Sequence, residues 1–234
     1  MIKKTFLLLC ICTLSLFAQD LKVAAGAGYK KVVQKIIQNY EKNNQNVDGF
    51  FGNMKQVTAQ SQQTDMGLVI GDKSYLLNKS QLNIKEYITL GYGKVVLAYA
   101  KGVQLTTTND LLKTNIRKIA MPQPQKAIYG IAGMEFLKEQ NLYKTIKDKL
   151  LVVSSVPQVM TYLVAKEVDV GIVNLTSALE NKDKIGGYIE IDANDYSPIE
   201  IIAAKLPDCK NECEQFVNYL QTDESKKIFK TFGL

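Results

Sequence analysis

The chain has 234 residues, 46 % of them apolar and 22 % charged, with a formal net charge of +6; this balance excludes a disordered chain, a collagen-like repeat and a polytopic membrane protein. There is no His, so Ser-His and Cys-His catalysis and every His-ligated metal site are excluded too. Arg117 is the one Arg among 29 basic residues, which leaves a single candidate for a bidentate carboxylate clamp.

At the start, Met1-Ile2-Lys3-Lys4 is a short positive region. A stretch from Phe6 to Phe17 follows, apolar apart from its Cys, Thr and Ser residues, and Ala18-Gln19-Asp20 closes it. This is the layout of a secretory signal peptide, read here as residues 1–18 with cleavage after Ala18; the apolar stretch is too short for a comfortable membrane span. Cys10 and Cys12 fall in the part removed. The charge that remains is nearly all Lys and has no basic run, which is not the footprint of a nucleic-acid binder.

Past the signal, apolar strands and amphipathic helices alternate. Leu21–Ala25 reads as a strand, and Val32, Val33, Ile36, Ile37 and Tyr40 then recur at helical spacing. Met66–Ile70, Lys94–Ala100 and Lys118–Met121 read as further strands, the last followed by a helix through Met134, Phe136 and Leu137. Leu150–Ser154 leads into a helix with Val159, Met160, Tyr162 and Leu163, and Val168–Val173 is again a strand. Ile199–Ala204 runs back before one last helix carrying Phe216, Leu220, Ile228 and Phe229. Strands alternating with helices in this way predict an α/β fold with mostly parallel sheets. Cys209 and Cys213, four residues apart, fit a small local disulfide in an oxidising compartment, with a metal or redox pair as the alternative.

Several strands end in a small-residue or amide turn that opens a helix. Val23–Gly28 leads into Tyr29, Phe50–Asn53 into Met54, and Val152–Ser155 into Val156-Pro157. Asn53 and Ser155 are good N-cap residues with Gln three positions on, as in a capping box, and Pro157 fits a first helical turn. These are ordinary helix starts or, if they converge, an anion site made of free N–H groups and positive dipole ends. Lys30, Lys31, Lys55 and Lys126 sit in or beside first turns, where the macrodipole disfavours cations and a bound anion would offset that cost.

Val23-Ala-Ala-Gly-Ala-Gly28, Phe51-Gly-Asn-Met54, Asp65–Asp72, Tyr92–Leu97, Arg117–Pro124, Ser155–Gln158, Glu167–Val173 and the ending Thr222–Gly233, taken in order, resemble the periplasmic molybdate-binding proteins of ABC importers. The resemblance spans nearly the whole exported chain. It implies a two-lobed, type II-like periplasmic binding protein, with two crossing hinge strands near Leu97–Ala100 and Ile201–Ala204. Lobe 1 would be residues 20–98 plus 201–234, and lobe 2 residues 99–200. Such a cleft closes on its ligand by hinge motion, and a membrane permease reads the closed form.

In that family a tetrahedral oxyanion is held by uncharged donors: main-chain N–H groups at helix starts, two Ser hydroxyls and a Tyr hydroxyl. Carried over by position, the Ser sites hold Gly28 and Met54, the Tyr site holds Asn174, and the main-chain donors fall at Tyr129 and Val156. Tyr29, Asn53 and Ser155 complete the expected ligand-binding set as neighbouring donors. The resemblance thus implies capture of a small oxyanion, molybdate or tungstate, by a monomer without catalytic residues, metal or cofactor. A binder of another small or organic anion is the alternative. An Arg-clamped amino-acid binder using Arg117, or an exported enzyme using Asp65, Asp72 or Asp169, is a further one.

Overall fold

The computed structural model describes residues 20–234; the expected signal of residues 1–18, with Cys10 and Cys12, lies outside them. The chain forms two five-stranded sheets. In the first the order is β2 (Val47–Gly52), β1 (Leu21–Gly26), β3 (Leu68–Asp72), β10 (Ile199–Lys205), β4 (Glu86–Gly93). In the second it is β7 (Leu150–Val153), β6 (Ile119–Pro122), β8 (Val170–Asn174), β5 (Val95–Tyr99), β9 (Gly187–Glu190). Each sheet has a parallel three-strand core, β2-β1-β3 and β7-β6-β8, extended by antiparallel strands. The sheets are therefore mixed, because one strand in each, β10 in the first and β5 in the second, runs against the parallel core.

The inner parallel strands β1, β3, β6 and β8 are buried on both faces, which is why they read as unbroken apolar runs. Every residue of β3 and of β8 is buried. Around the first sheet pack α1 (Lys30–Tyr40), α2 (Met54–Ser61), α3 (Lys73–Asn78), α8 (Asn211–Leu220) and α9 (Asp223–Thr231). The second carries α4 (Ile128–Glu139), α5 (Tyr143–Ile146), α6 (Val156–Val164) and α7 (Leu175–Glu180). The stripe predicted on α1 is the one it buries, and Tyr40 at its end meets Phe216 of α8 edge-on with ring centroids 5.0 Å apart. Cys209 and Cys213 form the disulfide, with Cα atoms 5.0 Å apart.

Four expectations change. β4 and β9 were not apparent in the sequence: both are edge strands whose largely exposed or half-exposed residues alternate poorly. The single last helix is two, because the Thr222 hydroxyl accepts from Ser225 N and starts α9 afresh. The stretches expected to be hinges lie inside sheets: Leu97–Tyr99 pairs with β8 and β9, and Ile201–Ala204 pairs with β3 and β4. The chain instead crosses at Lys94, between β4 and β5, and returns through residues 191–198. β5 accordingly belongs to the second sheet, not to lobe 1.

Candidate functional site

The residues at the carboxyl ends of β1, β6 and β8 meet across the crevice between the two sheets. After β1 a short 3-10 turn, Ala27–Tyr29, opens α1; it touches α6 and, at Asn174, the start of α7, the helices that follow β7 and β8. This is where an open α/β sheet presents helix starts and offers a ligand site. α1 and α4 begin without a side-chain cap, so their first N–H groups are left to other partners, while α2, α3, α6 and α7 are capped by Asn53, Asp72, Ser155 and Asn174.

Tyr29 and Tyr129 meet at the centre. Their hydroxyl oxygens lie 2.6 Å apart across one hundred residues of sequence, and both side chains are at most 5 % exposed. Burial, above all, raises both phenols above their ordinary pKa, so both stay protonated. Asn174 is fully buried beside them: its Oδ1 caps α7 by accepting from Ser177 N, and its Nδ2 donates to the Gly28 carbonyl at 3.4 Å. Gly28 faces this amide, which a Cβ there would meet at 3.5 Å. Val156, the first residue of α6, is buried at the same crevice.

Tyr129 is seated over the crossing. A Cβ on Gly93 would overlap the Tyr129 hydroxyl and lie 3.2 Å from Ile199 Cγ2, and Gly93 and Ile199 are register partners where β4 and β10 meet the crossing segments. The crossing is fixed further by Val95 N, which donates to the Tyr196 hydroxyl at 3.2 Å, and by Leu175 N, which donates to the Lys94 carbonyl at 2.9 Å. Gly93, Tyr196 and Ile199 were missed by sequence reading; an isolated Gly ending a strand was the available signal.

The remaining expected residues are placed differently. Met54 turns onto the sheet: its Sδ lies 3.1 Å from where a Gly26 Cβ would stand and 2.9 Å from that of Gly71, and it packs with the cluster of Ala24, Val57, Val69, Leu76 and Ile202. A long thioether over two glycines is filling space. Asn53 forms the predicted capping box; its Oδ1 accepts from Gln56 N at 3.0 Å and its Nδ2 donates to Gln56 Oε1 at 2.6 Å. Ser155 caps α6 at 3.4 Å, but Gln158 turns to Ser154, accepting from its N and its hydroxyl at 2.9 and 2.8 Å. The box predicted there is therefore half formed.

Three cations near the crevice have partners of their own. Lys30 stands 5.8 Å above the Phe51 ring, Lys73 pairs with Glu200 at 2.7 Å, and Lys31 reaches Glu180 of α7 at 3.4 Å, an ion pair between the lobes. Arg117 precedes the amino end of β6, whereas Tyr129 follows its carboxyl end, so the guanidinium is on the wrong side of the sheet to clamp a ligand in the crevice. The candidate acids have structural partners: Asp65 pairs with Lys22, Asp72 accepts from Tyr75 N, and Asp169 accepts from Arg117 N and Lys118 N at 2.7 and 2.9 Å.

Glu180 yields a pH prediction. Burial raises its carboxyl above the ordinary 4.5 more strongly than Lys31 lowers it. The folded state therefore binds that proton more readily than the unfolded chain. This contribution is full at low pH and fades as the pH climbs from 4.5 through the folded value. Glu180→Gln is expected to cost no more than about 1 kcal/mol at pH 7 and to remove this loss of stability on going from acid to neutral pH. Denaturant unfolding at pH 4.5 and pH 7 measures it; an unchanged pH slope in the variant would contradict it.

Comparison with known proteins agrees with this architecture. The Bacillus subtilis lipoprotein YvgL, named for substrate binding in an ABC transporter, is 28 % identical over 222 residues, 91 % of this chain and 85 % of that protein. The molybdate-binding protein of Rhodobacter capsulatus is 26 % identical over 147 residues, 62 % of this chain and 58 % of that one. The solved periplasmic molybdate-binding protein of Azotobacter vinelandii superposes with a TM-score of 0.79 at 23 % identity, covering 92 % of this chain and 98 % of its own. Residues 21–234 match one family throughout, and the chain belongs to the bacterial extracellular solute-binding proteins.

Proposed function

We propose that this chain is the exported solute-binding component of an ABC importer, and that it captures a small oxyanion, molybdate or tungstate, between its two lobes. The observation that carries this reading is the crevice itself. Uncapped starts of α1 and α4 and neutral buried donors converge there, while the neighbouring Lys30, Lys31 and Lys73 are engaged elsewhere. Neutral donors suit an oxyanion because main-chain N–H groups and dipole ends disperse its charge without a counter-ion. The proposed contacts are main-chain N–H groups at Gly28, Tyr29, Tyr129 and Val156, with side-chain donation from Tyr129 and Asn174. Asn53, Met54 and Ser155 support the walls. The similarity to two molybdate-binding proteins supports the ligand class. On this reading the protein works as a periplasmic monomer, hands its ligand to a membrane permease and performs no chemistry.

Thermal unfolding of the purified protein against molybdate, tungstate, sulfate, phosphate and chromate tests the proposal. Binding to the folded state alone adds about 2.7 kcal/mol at a hundredfold excess over Kd, and for a chain of this size that is a rise of roughly 5–10 °C. A rise with molybdate or tungstate is expected. No rise with any oxyanion would overturn the reading and turn the search to organic anions.

A further inference from the structure

The centre of the crevice holds more protons than acceptors. Tyr29 and Tyr129 form one hydrogen bond between two hydroxyls, and such a bond uses one of two phenol protons. Asn174 adds a further donor, its amide N–H toward the Gly28 carbonyl, while its own carbonyl is taken by Ser177 N. Among the described residues no hydrogen bond takes the second phenol proton, although both rings are at most 5 % exposed. A buried donor without an acceptor is costly, and a cluster with surplus donors fits a group that only accepts.

We propose that Tyr29 and Tyr129 are a paired clamp whose hydroxyls part to donate together to a fully deprotonated oxyanion, and that this pair selects against oxyanions that keep a proton at neutral pH. The inference rests on the function proposed above and narrows its ligand. When the ligand enters, the phenol–phenol hydrogen bond is exchanged for two charge-assisted ones, which are about twice as strong as neutral ones. A hydrogen phosphate or hydrogen arsenate would bring one more O–H into a cluster already short of acceptors. Gly93 permits the arrangement, because a side chain there would occupy the place of the Tyr129 hydroxyl.

The test is titration calorimetry on the wild type, Tyr29→Phe, Tyr129→Phe and the double variant. The ligands are molybdate and two matched pairs of similar tetrahedra, sulfate with hydrogen phosphate and selenate with hydrogen arsenate. Phe keeps the buried ring, and melting curves without ligand report that each variant is folded. Each single variant is expected to lose about tenfold in affinity for molybdate. The deprotonated member of each pair should bind at least about tenfold more tightly than its protonated counterpart. Unchanged or tighter binding by Tyr29→Phe would overturn the clamp and leave the function standing. Equal binding of hydrogen phosphate and sulfate, or of hydrogen arsenate and selenate, would overturn the selectivity in the same way. A wild type that binds no oxyanion would instead overturn the proposed function, and the clamp with it.

Discussion

Gly130→Ala is expected to lower the melting temperature by roughly 6–12 °C, the equivalent of about 3 kcal/mol for a chain of this size. Gly130 lies in the first turn of α4, where the helix folds straight back over the end of β6. A Cβ there would press into the carbonyl oxygen of Pro122 and lie 2.5 Å from that of Gln123. These are main-chain atoms, and Gln123 O already accepts from Lys126 N and Ala127 N at 3.2 and 3.0 Å, so no rotamer change relieves the overlap. The start of α4 must lift, and Tyr129 lifts with it. Gly26→Ala is the control, because its new methyl meets the flexible end of Met54 at 3.1 Å. That change should cost under about 1 kcal/mol. Differential scanning calorimetry of the two variants decides the matter: equal melting temperatures would show that α4 adjusts freely over β6.

Gly93→Ala is expected to weaken oxyanion binding by roughly 10- to 100-fold while leaving the protein folded. The new methyl would take the position of the Tyr129 hydroxyl and lie 3.1 Å from the ring carbon that bears it. Tyr129 must then swing away, giving up its bond to Tyr29 and its place above the crossing. Removing the oxygen should make the methyl tolerable. The double variant Gly93→Ala/Tyr129→Phe should therefore bind no worse than Tyr129→Phe alone, a strong departure from additivity. Losses that simply add would mean that Gly93 acts through the crossing segment and not through the phenol.

Much of the fold was legible because it rests on local pattern. The buried parallel strands read as apolar runs, and the face of α1 followed from spacing. The cap at Asn53 was legible as well, since capping involves residues three apart. β4 and β9 were not, because an edge strand is defined by its neighbour more than by its own alternation. The same limit applies to the crevice. Gly28, Tyr129, Val156 and Asn174 were placed there by resemblance, with Tyr29 as a neighbour, and the fold brings Tyr29 to Tyr129 and Asn174 to Gly28. Met54 held an equivalent position yet turns onto the sheet, since Gly26 and Gly71 leave a hollow that a thioether fills.

The sequence by itself determined the alternation of strands and helices, several helix starts and the absence of His chemistry, because each depends on residue type or on neighbours a few positions away. Only the tertiary structure decided that the chain crosses at Lys94, that Lys31 meets Glu180 and that two phenols share a hydrogen bond across the lobes. Those are contacts between residues far apart in the chain. They exist because two sheets, each closed around its own apolar core, turn the carboxyl ends of their strands toward one crevice and leave polar side chains there to find each other.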